Sequence, residues 1–214
     1  MSKIEIVPSL RTDGSINLAT VPLAVESGAE LLIAGEAVFN GDAAKNIKSL
    51  YARVSFEESR MKTRLLIILG SDHAGFRIKE FIKNLLSKEN CLIKDVGTFS
   101  PDPVDYPEYA ERVAVEVKKG KNRKGILTCG TGIGASIAAN KIPGIRAALV
   151  CNTKDARLSI EHNNANILVL GGRPFNKVMT KRMIGVWFRS EFQGGRHQRR
   201  LNEISRLEKK YLKA

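Results

Sequence analysis

The stretch Gly125-Ile-Leu-Thr-Cys129-Gly-Thr-Gly-Ile-Gly134-Ala-Ser-Ile-Ala-Ala-Asn-Lys141 decides how this chain is read. Gly125 to Thr128 has the character of a short buried strand, and the alanine-rich run Ala135 to Lys141 that of a helix. Between them Gly130, Gly132 and Gly134 let the backbone approach a ligand and take up positive φ. The helix start offers unpaired N–H groups and the positive end of its dipole, a setting for an anion, phosphate or enolate. Cys129 closes the strand, and in that field its thiol is expected to lose its proton more readily than usual. The turn is no Walker loop, since no Gly-Lys-Ser/Thr follows. It also lies away from the first strand of a domain, where a dinucleotide fingerprint belongs.

The pattern continues on both sides. Upstream, Leu65-Leu-Ile-Ile-Leu-Gly70 is a continuous apolar run, as in a strand covered on both faces. Phe76 to Lys88 reads as an amphipathic helix in which Lys79, Glu80 and Lys83 alternate with Ile78, Phe81, Ile82 and Leu85. Cys91-Leu-Ile is a second strand. Thr98 to Pro107, with three prolines, is expected to be a non-helical loop delivering Asp105-Tyr106, and Tyr109 to Lys119 a helix. Downstream come a strand at Ala147–Cys151, a helix at Thr153–His162, a strand at Ile167–Leu170 and a helix at Lys177–Arg189. Gly194-Gly195 precede a last amphipathic helix, Leu201 to Leu212. Strands alternating with helices in this way predict an α/β fold, a doubly wound five-stranded parallel sheet with helices on both faces.

Ligands of such sheets bind beyond the carboxyl ends of the strands. That rim collects Asp72 and His73, the loop carrying Asp105, Cys129 to Gly134, Asn152 and Arg173. His162, at a helix end, is counted with it, and Arg196, His197 and Arg200 follow in the tail. Plainer readings exist for several of these. His73 could cap the next helix, His162 could answer the dipole at a helix C-terminus, and Arg196 and Arg200 could be solvated.

Composition narrows the function classes. At 214 residues and 43% hydrophobic content the chain can bury a core as one or two domains. No apolar run is long enough to span a bilayer, and Met1-Ser-Lys-Ile-Glu-Ile is not a signal peptide, so no membrane association and a cytoplasmic location are expected. Cys91, Cys129 and Cys151 have neither metal spacing nor the even number of a disulfide framework, and Cys91 and Cys151 are expected in the core. The formal charge is +13, and residues 173–214 hold twelve Lys/Arg against three Glu. A nucleic-acid-binding module is one explanation. The tail lacks interleaved aromatics, however, and a small anionic substrate needs only a few of these charges.

Residues 1–60 form a separate segment, with the remainder at 61–214. Ile4–Val7 and Leu31–Ala34 read as strands, Leu18–Ser27 and Ala43–Val54 as helices, and Ser55–Arg64 as a polar connector. The run Asp13-Gly-Ser-Ile-Asn-Leu-Ala-Thr-Val-Pro, followed by Ser27-Gly-Ala-Glu-Leu-Leu-Ile-Ala-Gly-Glu-Ala-Val-Phe39, resembles the last two strand–helix units of ribulose-phosphate 3-epimerase, a TIM barrel. In that family the aspartate at the position of Asp13 is an acid/base. Ser15 and Glu36 replace a glycine and a small serine beside the phosphate, and two of eight strands cannot close a barrel. The resemblance therefore implies a βαβα fragment without epimerase activity.

From about Leu65 onward the chain resembles ribose-5-phosphate isomerase B, a family that includes galactose-6-phosphate isomerase subunits. The matching blocks are Gly70-Ser-Asp-His-Ala-Gly-Phe76, Asp105-Tyr-Pro107, Cys129-Gly-Thr-Gly-Ile-Gly134 with Ala138-Ala-Asn-Lys141, His162-Asn163, Gly171-Gly-Arg173 and Gly195-Arg-His-Gln-Arg-Arg200. The resemblance implies aldose–ketose isomerisation of ribose 5-phosphate and ribulose 5-phosphate, a pentose phosphate pathway reaction, without metal or cofactor. Cys129 is then the base, and the amides of Gly130, Thr131, Gly132, Ile133 and Gly134, with the Thr131 side chain, hold the enediolate. Asp72 binds sugar hydroxyls, His162 with Asn163 opens the furanose ring, and His73, Arg173, Arg196 and Arg200 grip the phosphate. It also implies a homodimer, or a dimer of dimers, with shared active sites into which Arg196 and Arg200 reach from the neighbour. A six-carbon substrate, allose or galactose 6-phosphate, is the alternative.

Overall fold

The computed structural model describes residues 16–26, 29, 32–63, 65–89 and 92–211. The chain divides into two compact units, residues 1–64 and 65–214. Expectations for Ile4–Val7, Asp13, Ser15, Leu31 and Cys91 lie outside the described residues. Among those described, no helix is long and apolar enough to cross a membrane.

The first unit contains α1 (Val21–Glu26), α2 (Glu36–Phe39) and α3 (Ala43–Thr63). Asn17 opens α1 by accepting the N–H groups of Ala19 and Thr20, and Asp42 accepts that of Lys45 at the start of α3. Ile16, Val21, Ala24 and Leu50 make a small core. Two expectations fail here. Leu32 to Ala34 form no strand, and the polar stretch from Ser55 is not a linker but the continuation of α3. Helix-favouring Glu, Arg, Met and Lys carry that helix onward where charge alone suggested a connector. Glu36 is exposed in the first turn of α2.

The second unit is a single parallel sheet of β1 (Leu66–Ser71), β2 (Leu92–Asp95), β3 (Arg123–Cys129), β4 (Ala147–Val150) and β5 (Ile167–Gly171), in the order β2-β1-β3-β5-β4. Around it lie α4 (Phe76–Leu86), α5 (Tyr106–Lys118), α6 (Ile133–Ala139), α7 (Thr153–Glu161), α8 (Lys177–Arg189) and α9 (Arg196–Tyr211). One face packs Ile78, Ile82, Ile160, Ile184 and Trp187 on the sheet, the other Val113, Val117, Ala135 and Ala139. The Rossmann-like fold expected from the alternating pattern is the one observed. Two boundaries move. Tyr106 and Pro107 already belong to α5, because proline fits the first helical turn, where its missing N–H has no partner to lose. The last helix starts at Arg196 and so takes up Arg196, Arg199, Arg200 and Arg206.

Lys79 also departs from its expected place on the polar side of α4. It is 1% exposed, and its Nζ lies 2.6 Å from Asp95 Oδ2 and 2.7 Å from Oδ1, within cation–π distance of Phe76 and Phe99. Burial works to raise the Asp95 pKa, but hydrogen bonds from Lys79, Lys83 and the Gly97 N–H outweigh it and hold the carboxyl below its ordinary value. The stability this contributes is present above the ordinary carboxylate range and lost as pH falls through the depressed folded pKa. Asp95→Ala leaves a buried ammonium with only the half-exposed Glu80. We expect a loss of about 3 kcal/mol, read from urea unfolding followed by Trp187, the sole tryptophan. An unchanged midpoint would mean that Lys79 is not charged there.

Candidate active site

β1 and β3 are neighbours at the centre of the sheet, and the chain leaves them in opposite directions, β1 toward β2 and β3 toward β4. This switch point opens a crevice at the carboxyl ends of the two strands. Ser71 pairs with Thr128 across the ladder, so Asp72 and Cys129, one residue further on, stand side by side. Cys129 Sγ donates to Asp72 Oδ2 at 2.9 Å, and Asp72 Oδ1 accepts the Gly75 N–H at 2.8 Å. The turn after β1 rests on β3, and Thr128 Oγ1 donates to Gly75 O at 2.9 Å. A Cβ on Gly75 would fall 2.3 Å from the Thr128 carbonyl carbon, so only glycine allows this approach.

The turn after β3 wraps the sulfur. Gly132 takes φ +80°, where a side chain would also strike Leu149, and starts α6. The Thr131 hydroxyl accepts the Ile133 N–H, and Thr131 and Ile133 are exposed on the rim. Gly172 and Arg173, beyond β5, donate their N–H groups to Gly130 O, which sets the Arg173 side chain at the same edge. His73 Nδ1 lies 3.1 Å from both N and O of Val104, so the proline-rich loop holds the imidazole and leaves Nε2 for a ligand. Tyr106 covers Gly134, where a Cβ would meet the phenol ring at 2.5 Å. Asp72, His73, Cys129, Gly130–Gly134 and Arg173 thus share one edge of the sheet.

The state of the thiol reverses the sequence-based expectation. Burial, the hydrogen bond to Asp72 and the charge of Asp72 push the Cys129 pKa up to about 11, against a weaker opposite pull from the Gly132 and Gly130 N–H groups. Cys129 is 7% exposed and rests as a protonated donor, because burial and the carboxylate beside it outweigh the polarised turn. In Asp72→Asn the charge contribution of Asp72 disappears, and its hydrogen bond is weakened to that of a neutral amide. We expect the Cys129 pKa to fall from about 11 toward its ordinary 9.0. The pH dependence of alkylation at the Cys129 peptide, followed by mass spectrometry, measures this. An unmoved midpoint removes Asp72 as the cause. Cys151, expected in the core, is exposed just past the end of β4, an edge strand.

His162 and Asn163 do not join this edge. α7 leaves the carboxyl end of β4 and runs back, so its last residues lie where the strands begin. Asn163 and Asn164 accept from Arg146, the residue before β4, and Asn166 precedes β5. Cys129 pairs with Gly171 at the other end of β5. One strand length, roughly 13 Å, separates the two edges, beyond hydrogen-bond reach. Around His162 gathers a second cluster. The His197 ring stacks on it with centroids 4.1 Å apart, and Arg196 Nε lies 3.4 Å from His197 Nε2. Burial, then the charges of His162, Arg196 and Arg200, lower the His197 pKa. Sequence reading gave His197 no role. Its signal was the spacing Arg196-His197-x-x-Arg200, which puts all three on adjoining turns of one helix.

A thiol–carboxylate pair over a glycine turn, at the switch point of a parallel sheet, defines an α/β protein with a small-molecule site. More narrowly, the chain belongs to the Ribose/Galactose Isomerase family, whose model matches residues 67–204. It is 41% identical over 144 residues to ribose-5-phosphate isomerase B of Escherichia coli, covering 67% of this chain and 97% of that one. The solved ribose-5-phosphate isomerase B of Clostridium thermocellum superposes with a TM-score of 0.67 at 47% identity, over 68% of this chain and 99% of that one. The Mycoplasma genitalium enzyme, solved with bound ribulose-5-phosphate, gives 0.65 at 39% identity, over 67% and 96%.

Proposed function

We propose that this chain interconverts ribose 5-phosphate and ribulose 5-phosphate through an enediolate, with Cys129 as the base. The observation that carries the reading is the Cys129–Asp72 hydrogen bond at the mouth of the glycine turn. The resting thiol passes its proton to Asp72, the thiolate takes the C2 proton of the open-chain aldose and returns it at C1, the O2 hydroxyl proton passes to O1, and Asp72 gives its proton back to the sulfur. Backbone N–H groups of Gly130 to Gly134, with Thr131, stabilise the charge that develops on the substrate oxygens. His73 and Arg173 hold the phosphate, where a guanidinium fork suits the oxygens.

The remaining groups come from a second copy. His162, with Asn163 beside it, takes the proton of the O1 hydroxyl and gives it to the ring oxygen, and Arg196 and Arg200 close on the phosphate. The separation of the two clusters within one chain supports this division. So do the apolar residues that α9 leaves exposed: Ile204, Leu207 and Tyr211. Residues 1–60, with their likeness to an epimerase fragment, contribute no catalysis, and the family model matches residues 67–204.

The test is a coupled assay for ribulose 5-phosphate formed from ribose 5-phosphate with chelator present. Allose and galactose 6-phosphates run in parallel, since the family's description spans both sugar classes. Turnover confined to a hexose phosphate moves the reading to that substrate. No turnover of any of the three removes it.

A further inference from the structure

Arg146 stands immediately before β4, half buried, and spends its guanidinium on backbone carbonyls. Nε donates to Asn163 O at 3.1 Å and to Asn164 O at 2.9 Å, while Nη2 donates to Asn164 O at 2.7 Å. These carbonyls directly follow His162, the C-cap of α7, where a helix leaves its last C=O groups without partners and presents its negative end. Asn164 takes φ 44°, and it is the one non-glycine residue with positive φ among those described. The turn carrying His162 and Asn163 therefore passes through a left-handed residue, a conformation Asn tolerates, and is pinned from the neighbouring strand. Asn166 completes the clamp, accepting the Arg146 N–H at 2.8 Å and donating to Gly144 O at 2.8 Å. Glu208 of α9 accepts the Gly144 N–H at 3.1 Å, tying the same corner to the helix that carries Arg196 and Arg200.

We propose that Arg146 is a positioning residue for ring opening, fixing the His162–Asn163 turn so that the imidazole meets the sugar's ring oxygen. The inference rests on the role given to His162 above. It separates two chemical steps. Opening the furanose of ribose 5-phosphate needs the turn held by Arg146. The proton shift at Cys129 does not.

The test uses the full chain and two readouts. One is isomerisation of ribose 5-phosphate, which enters as a closed ring. The other is uptake of solvent deuterium at C1 of ribulose 5-phosphate, an open-chain ketose that needs only the base. Arg146→Ala is expected to lose at least about 10-fold in isomerisation, the scale on which a misplaced group costs rate, with deuterium uptake within about twofold of wild type. Arg146→Lys, which can reach one carbonyl but cannot fork, is expected to fall between the two. It carries the test alone if Trp187 fluorescence shows Arg146→Ala unfolded. An undiminished isomerisation rate, or an equal fall in both readouts, overturns the proposal. His162→Ala is run alongside. If it separates the readouts and the Arg146 variants do not, the positioning role is wrong. If His162→Ala itself does not separate them, the reading of His162 has failed instead.

Discussion

Serine in place of Cys129 is expected to lower turnover of ribose 5-phosphate by at least about 100-fold, the scale of one positioned acid/base, while unfolding followed at Trp187 stays native. The substitution is conservative in structure. A hydroxyl still donates to Asp72, the glycine turn keeps its path, and the 7% exposure of the site means that little packing changes. What it removes is acidity. A thiol at about 11 can pass its proton to a neighbouring carboxylate during the reaction. An alcohol, several units weaker as an acid, cannot do so at a comparable rate. A variant that retains its rate takes Cys129 out of the mechanism, and the assignment of the turn falls with it.

Mixing two inactive variants should restore activity. On the proposed assignment, Cys129→Ser lacks the base, and Arg196→Ala combined with Arg200→Ala lacks the phosphate grip contributed by the second copy. In a twofold-symmetric pair that shares its sites, a mixed pair has one pocket carrying both lesions and one carrying neither. Random exchange of equal amounts then gives about a quarter of wild-type activity, from parents near zero. The physical ground is the separation by a strand length between Cys129 and the His162 cluster, which no side-chain movement within one chain closes. Mixtures that stay as inactive as their parents, after subunit exchange has been verified by mass, would place each site within a single copy. The measurement also distinguishes assembly for stability from assembly for catalysis, since only the latter produces complementation.

The sheet was legible because its strands are continuous apolar runs and its turns are glycine-rich. The local patterns of Leu65–Gly70, Gly125–Cys129 and Ile167–Leu170 agree with the buried positions they occupy. The rim of Asp72, Cys129 and Arg173 followed from topology alone. Three things did not follow. Lys79 sits on the helix with a spacing that suits either face, and the approach of Asp95 from β2, distant in sequence, stabilises it inside. The acidity of Cys129 depends on a carboxylate 57 residues away in sequence, whose charge outweighs the local dipole that the motif displays. His162 was grouped with the rim because it ends a helix, yet helix direction puts that end on the far side. In the first unit, charge composition misled at Ser55–Arg64, since a solvated helix and a linker share the same residues.

A sulfur kept protonated until it is needed is also a sulfur kept out of trouble. Oxidants and electrophiles attack the thiolate, and a thiol at about 11 leaves only about one molecule in ten thousand ionised near neutrality. Cys151, by contrast, is exposed to solvent. A proposed base held in its thiol form is shielded from these reagents, a consequence separate from the rate of turnover.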